Sequence, residues 1–164
     1  MQTDRSLNLR PAHRSEAAQL ATMSRLQIEH GLSWRWTTAR IRKQIKDTDS
    51  TVLVASIDGV IAGFSIMQFE DSQARLFLLA VEPKARRNGI GSALVRSLEQ
   101  ACISAGVPSI RLEVRASNSA AIEFYTRLGY RECDEIKAYY SGDESAIVMT
   151  RSPDRSGRTG QNAR

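Results

Sequence analysis

The stretch "VEPKARRNGIGSALVRSLEQ", residues 81–100, runs from an apolar strand end through two arginines and two glycines into a helical pattern. Gly89 and Gly91 allow a tight turn that leaves backbone N–H groups accessible. Such groups at the start of a helix bind anions, and Arg86 and Arg87 precede them directly. The stretch therefore predicts an anion-binding loop between a strand and a helix, with an ordinary loop as the alternative.

The flanking segments predict one central sheet. Residues 51–69 read as two strands joined by Asp58 and Gly59, the favoured residues of a tight hairpin turn. Residues 74–83 and 109–115 are further strands, and a parallel crossover must connect them through the helix that follows the glycine loop. The predicted order is a strand, two helices, a three-strand meander, a helix, a strand, a helix and two strands. This order indicates an α/β (α+β) layer fold.

The first long helix is predicted from about Ser15 to His30. Its apolar face is predicted from the helical spacing of four residues: Ala18, Met23, Leu26 and His30.

Composition indicates a single domain of 164 residues with 41% hydrophobic residues. The formal net charge is +5, of which residues 151–164 carry +3, leaving +2 for residues 1–150. We expect residues 1–150 to form the domain and residues 151–164 to be a disordered polar tail. That tail has no aromatic residue for base stacking, so we expect no nucleic-acid partner.

Other classes are excluded by what the sequence lacks. No apolar stretch is long enough to span a bilayer and the start lacks the apolar segment of a secretory signal, so we expect a cytoplasmic protein without a membrane partner. Cys102 and Cys133 have no zinc-ligand spacing, and we expect reduced thiols and no metal.

Three segments together resemble a known family: "LLAVEPKARRNGIGSALV", "LEVRASNSAAIEFYTRLGY" and the closing "YY...AIVM". They resemble the GNAT superfamily of acetyl-CoA-dependent N-acetyltransferases, and most closely its ribosomal-protein alanine N-acetyltransferase branch. The resemblance implies a single-domain fold with a central mixed, mostly antiparallel, twisted sheet and helices on both faces. It also implies acetyl transfer from acetyl-CoA to a primary amine by direct attack on the thioester.

The resemblance assigns site residues by position. Glu113 matches the proton acceptor and Tyr125 the proton donor. The positions that match cofactor contacts are Leu79, Ala80 and Val81 along the pantetheine arm, Arg86, Arg87, Asn88, Gly89, Ile90, Gly91 and Ser92 at the pyrophosphate, and Asn118.

Several alternatives stay open at this stage. Glu113 is either a general base or the ion-pair partner of a neighbouring arginine, and Tyr125 is either a proton donor or an amphipathic core tyrosine. Two aromatic pairs, Trp34 with Trp36 and Tyr139 with Tyr140, either line an acceptor groove or serve packing and strand pairing.

The acceptor and the assembly are also open. The acceptor is either a peptide amino terminus or a small amine, and a non-catalytic acyl-CoA-binding regulatory domain is the alternative of another class. The protein is expected to be a monomer or a homodimer.

Overall fold

The computed structural model describes residues 6–140 and 144–153. These residues form seven strands and four α-helices, which follow one another along the chain in the predicted order. The strands are β1 (Leu7–Pro11), β2 (Ser50–Ile57), β3 (Val60–Phe69), β4 (Ala74–Val81), β5 (Ile110–Arg115), β6 (Arg131–Tyr140) and β7 (Glu144–Arg151). The helices are α1 (Ala17–Gln27), α2 (Thr38–Lys46), α3 (Ile90–Ala105) and α4 (Ser119–Arg127).

All seven strands form one sheet in the order β1-β2-β3-β4-β5-β7-β6. Every neighbouring pair is antiparallel except β4 and β5, which are parallel. Helices α1 and α2 pack on one face of the sheet, whereas α3 and α4 pack on the other. The predicted fold class, a mixed and mostly antiparallel sheet between helices, is confirmed.

The parallel pair β4 and β5 touches over a short length only. Ala74, Arg75 and Leu76 pair with Ile110, Arg111 and Leu112, and no further pairs continue the ladder between these two strands. Strand β4 nevertheless runs on to Val81 against β3, and β5 runs on to Arg115 against β7. The sheet therefore opens into a gap between the two strands at their carboxyl ends.

A β-bulge at Phe77 lies where the gap begins. Ile66 of β3 pairs with Leu78, but the next residue of β3 pairs with Leu76, so Phe77 is the extra residue of β4. Before the bulge Leu76 faces α3 and α4, whereas Phe77 and Leu78 both face α1 and α2. The bulge thus reverses which residues of β4 face each side, and it bends the strand at the point of separation.

Close packing at Gly63 places the start of α3 over the sheet. A Cβ atom built on Gly63 would lie 2.8 Å from the Ala80 carbonyl oxygen and 3.3 Å from the Ile90 side chain. Ile90 is the first residue of α3 and is buried. The missing side chain at Gly63 therefore lets the amino end of α3 lie directly against the carboxyl end of β4.

Replacing Gly63 with alanine is expected to lower the free energy of unfolding by about 1–3 kcal/mol, because the contact made by the new methyl group is with backbone and cannot relax by rotamer change. Urea denaturation measures the loss. Ser65→Ala is the matched control in the same strand, since the buried Ser65 hydroxyl has no hydrogen-bond partner in the described part of the chain. Equal stability of Gly63→Ala and the native chain would contradict this account.

Two sequence expectations are corrected by the fold. Leu26 is 66% exposed and Ala18 and His30 are exposed, so the predicted apolar face of the first helix is wrong except at Met23; the buried residues of α1 are Ala17, Leu20, Ala21, Met23 and Ser24. The segment Arg14–Glu16 is a 3-10 turn, which changes the phase of the helix that follows. Arg151 ends β7 and pairs with Ile110, so the strand extends past the expected boundary at 150. The expected tail from residue 154 onward lies outside the described residues.

Candidate active site

The glycine loop joins the end of β4 to the start of α3 and leaves a run of backbone donors open. Among the described residues, no acceptor receives a hydrogen bond from the N–H groups of residues 87–92, and the first bonded amide of the helix is Ala93, which donates to Gly89. Six open N–H groups before and at the amino end of a 16-residue helix offer donors and a positive helix end that suit an anion.

The backbone conformation of the loop depends on Gly89 and Arg87. Gly89 is the N-cap of α3 with φ 73°, a left-handed conformation that glycine adopts without strain. Arg87 has φ 65°, which is uncommon for a residue with a Cβ atom. Asn88 holds the turn through its side-chain amide, which donates to the carbonyl of Ala85 at 3.1 Å. The residues predicted at the pyrophosphate therefore form a tight turn followed by the first residues of α3.

Arg86 points back into the protein. Its Nε donates to the Val81 carbonyl at 3.0 Å, and its Nη2 donates to Gln27 of α1 at 2.6 Å. Gln27 also donates to Glu82 at 3.1 Å. Arg86 thus ties the loop to β4 and α1. Arg87 is exposed, and its own N–H is the first of the open amides.

Helix α4 lies against the same loop. A Cβ atom on Gly91 would lie 3.2 Å from the Phe124 ring and 3.8 Å from Val81, so the glycine makes room for α4 beside the start of α3. Asn118 is the N-cap of α4, and its Oδ1 accepts from the Ala121 N–H at 3.1 Å. The two sequence motifs are therefore neighbours in space, with Asn118 in a capping position that sequence reasoning missed.

Backbone groups of β4 face the gap. Glu82 donates its N–H to Ala62 of β3. In a strand the backbone groups of every second residue point to the same side, so Ala80 also directs its N–H and C=O groups toward β3. Leu79 and Val81 consequently direct theirs toward the gap. The Val81 carbonyl is occupied by Arg86, which leaves the Val81 N–H as the donor at the mouth of the gap. The β-bulge at Phe77 lies earlier in the same strand.

Glu113 lies on β5 on the side of the sheet that faces α1 and α2. Its Oε1 accepts from Arg111 Nε at 3.2 Å and from Arg75 Nη2 at 3.4 Å, and its side chain is 9% exposed. The arginine neighbour considered from the sequence is therefore present, and a second one comes from β4. Arg75 was missed because it is 38 residues away in sequence.

Tyr125 lies on the opposite side of β5, in the core formed by α3 and α4. Its ring makes edge contacts with Phe124 and Tyr130 at centroid distances of 5.0 and 5.6 Å. The residue is 9% exposed, and its burial, followed by the nearby Tyr140, raises the pKa of the Tyr125 hydroxyl. Within the described residues no group hydrogen bonds to that hydroxyl, nor is it among the fully buried polar atoms without a partner.

Tyr140 lies close to both candidate catalytic residues. Burial raises its pKa, with Tyr139 and Glu113 adding to the effect, and Arg115 lies over its ring at 5.8 Å. The tyrosine pair packs edge to face at 4.8 Å next to an irregularity in β6, where Ala138 has φ 56°. Glu113 and Tyr125 lie on opposite faces of β5.

The two tryptophans have different environments. Trp36 is 7% exposed and packs against Phe77 at 5.5 Å, with the Arg40 guanidinium 3.7 Å above its ring. Trp34 is 43% exposed, with the Arg25 guanidinium 5.3 Å away. The packing alternative holds for Trp36, which supports the bulged residue of β4.

The described residues provide neither a metal cluster nor a membrane-spanning helix. Within residues 6–140 and 144–153, no group of three or more His, Cys, Asp or Glu side chains is arranged to hold a metal ion. In the same ranges, no helix combines the length and apolarity required to cross a bilayer.

Comparison with known proteins gives a family match over residues 18–130, to the model described as acetyltransferase (GNAT) family. Over 95 residues the chain is 42% identical to the ribosomal protein bS18-alanine N-acetyltransferase of Escherichia coli strain K12, a match that spans 56% of this chain and 64% of that relative. It is 26% identical over 154 residues to an N-alpha-acetyltransferase of Sulfurisphaera tokodaii, covering 86% of this chain and 90% of that one.

A solved structure is similar over nearly the whole chain. The crystal structure of the ribosomal-protein-S18-alanine N-acetyltransferase from Escherichia coli superimposes with a TM-score of 0.79 at 26% identity. The match covers 96% of this chain and 100% of that chain.

Proposed function

The chain belongs to the acetyltransferase (GNAT) family, and on that premise we propose that it transfers the acetyl group of acetyl-CoA to a primary amine. The observation that carries the proposal is the run of open N–H groups at residues 87–92, located where β4 leaves β5. A pyrophosphate has the charge and the acceptor oxygens that this run of donors requires.

The gap in the sheet gives the rest of the donor a path. With its pyrophosphate at the loop, the pantetheine arm would extend between β4 and β5, where Leu79 and Val81 offer backbone groups along one side. The acetyl end then lies near Glu113 and Tyr125 on the two faces of β5. Asn118, at the start of α4, has side-chain N–H groups available toward the same ligand.

The chemistry assigns different roles to Glu113 and Tyr125. An amine acceptor is largely protonated at neutral pH, since an α-amine has a pKa of about 8 and a lysine-type amine about 10.4. Glu113 accepts a proton from the amine, whose nitrogen bonds to the thioester carbonyl carbon while the carbon–sulfur bond breaks. Tyr125 gives a proton to the departing sulfur, and the Val81 N–H stabilises the carbonyl oxygen.

We favour a protein amino terminus as the acceptor because two of the similar proteins are described as acetylating such a group, the alanine of bS18 or an α-amine. A small amine is the alternative acceptor. A reducing compartment such as the cytoplasm suits two cysteines that are both free, Cys102 and Cys133.

Isothermal calorimetry with acetyl-CoA tests the donor site. We expect saturable binding by the native chain and at least about tenfold weaker binding by Gly91→Val, because a side chain there meets Phe124 and displaces α4 from the loop. Arg96→Ala, on the exposed side of α3, is the matched control. Thermal unfolding without ligand verifies that each variant is folded.

The outcomes separate the candidate functions. Native chain that binds no acetyl-CoA would contradict the proposal. Binding without acetyl transfer to any amine would favour the regulatory acyl-CoA-binding alternative.

A further inference from the structure

Two arginines bracket Glu113 and exceed its charge. The single oxygen Oε1 accepts from both Arg75 and Arg111, so the three side chains together carry one net positive charge. The side chains of Arg75 and Arg111 are 34% and 35% exposed, whereas that of Glu113 is 9% exposed. The accessible surface around the proposed base is therefore contributed by the two arginine side chains more than by the carboxylate.

An aromatic pair continues this surface toward α2. The Arg75 guanidinium lies 5.1 Å from the Phe77 ring, Phe77 packs on Trp36 at 5.5 Å, and Arg40 covers Trp36 at 3.7 Å. Arg40 is exposed and its Nη1 donates to the Arg35 carbonyl at 3.5 Å, and none of the ion pairs in the part of the chain that the structure describes includes it. Arg40, Arg75 and Arg111 form what we call the arginine face, on the side of the sheet where Glu113 lies.

The remaining acidic group under this surface is already used. Glu29 is 7% exposed and accepts from the Ser24 hydroxyl at 3.1 Å, the Arg35 N–H at 2.6 Å and the Trp36 N–H at 3.1 Å. Its carboxylate fixes the loop that carries Trp36 and offers no exposed counter-charge to the arginine face. The face thus presents guanidinium groups over aromatic rings; the Glu113 side chain and Glu29 are largely buried beneath it, and the nearby Glu144 is paired with Arg115 at 3.8 Å.

From this arrangement we infer that the acceptor is an anionic amine, with a carboxylate close to the amino group presented to Glu113. The inference rests on the proposed acetyl transfer and specifies its substrate class. A guanidinium binds a carboxylate through paired, charge-assisted hydrogen bonds. A polyamine or other polycationic amine meets like charge on the same face and is disfavoured.

The carboxylate has two possible sources, an acidic side chain near a peptide amino terminus or a free amino acid. Thiol release from acetyl-CoA is measured with hexapeptides that start Ala-Asp, Ala-Asn or Ala-Lys and are otherwise identical, with free aspartate and its carboxylate-free asparagine counterpart, asparaginamide, and with spermidine. We expect the aspartate-containing member to exceed its asparagine counterpart by about tenfold or more in kcat/KM, in line with a hydrogen bond to a charged group. The arm that discriminates, peptide or amino acid, identifies the source.

Variants of the arginine face test the cause of the preference. Arg40→Gln and Arg111→Gln should each reduce the Asp-to-Asn ratio of kcat/KM severalfold, and the ratio removes any general loss of activity caused by disturbing Glu113. Arg42→Gln is the matched control on α2, because Arg42 lies in a separate basic groove with Arg14, Lys43 and Lys46. It should leave the ratio unchanged.

Each outcome decides the inference. Equal kcat/KM for the Asp, Asn and Lys peptides and for aspartate and asparaginamide, or a preference for the Lys peptide or spermidine, overturns it while acetyl transfer itself stands. A preference for aspartate that survives both arginine variants also overturns it. Failure to acetylate any acceptor overturns the transfer activity and this inference together, and calorimetry with acetyl-CoA then shows whether the donor site stands.

Discussion

Glu113→Gln is expected to lower kcat/KM by about 100-fold near pH 7 and by much less near pH 10, because proton acceptance by a positioned carboxylate contributes about 10²–10⁴-fold. As pH rises through the pKa of the acceptor amine, the amine loses its proton unaided and the missing base matters less. The ratio of native to variant kcat/KM should therefore decrease with increasing pH. A pH series with a peptide acceptor measures it.

Glu99→Gln is the control for losing a buried, arginine-paired carboxylate. Glu99 is 6% exposed and pairs with Arg151 at 3.0 Å, outside the gap between β4 and β5. This variant should lose stability without a pH-dependent loss of kcat/KM. If Glu113→Gln gave a loss that is the same at every pH, or none, Glu113 would be only the structural partner of Arg75 and Arg111.

Tyr125→Phe is the second variant with a large expected effect, a decrease in kcat of about 100-fold or more with nearly unchanged acetyl-CoA affinity. The ring keeps its contacts with Phe124 and Tyr130, and no described residue loses a hydrogen bond with the hydroxyl. Because burial raises the pKa of Tyr125, the native hydroxyl keeps its proton at and above pH 10, the ordinary phenol range. Any alkaline decline in native kcat below that range must therefore come from another group.

Tyr130→Phe separates the catalytic effect from a packing effect. Tyr130 belongs to the same aromatic cluster but its hydroxyl donates to Glu99 at 3.4 Å, so its loss should lower stability and leave kcat within about twofold. Calorimetric melting and kcat are measured for both variants. Unchanged kcat in Tyr125→Phe would make Tyr125 a core residue without a chemical role.

Local signals in the sequence predicted the frame of the site. Gly89 and Gly106 both have left-handed φ angles at the ends of α3, and Asp58 and Gly59 form the turn between β2 and β3. Alternation in residues 110–115 placed Glu113 on the polar face of β5, which the burial pattern confirms. Each of these features is set by residues that lie close together in sequence.

Features that depend on distant contacts could not be predicted in this way. The bulge at Phe77 leaves the alternation of buried and half-buried residues along β4 undisturbed, so no local pattern reveals it. The Arg75 contact with Glu113 depends on the register between parallel strands. Arg86 looked like an anion ligand because it precedes the loop, but its partners are Val81 and the distant Gln27. The roles of the individual site residues stay predictions until the variants are measured.

Within the described residues, three ladder pairs join the four-strand half of the sheet, β1 to β4, to the three-strand half, β5 to β7. An extended ligand lying in the opening would therefore act as a non-peptide eighth strand and complete the interrupted ladder. A ligand that bound only the folded chain would add its binding free energy to folding stability, so an occupied donor site would hold the two halves of the sheet together more strongly.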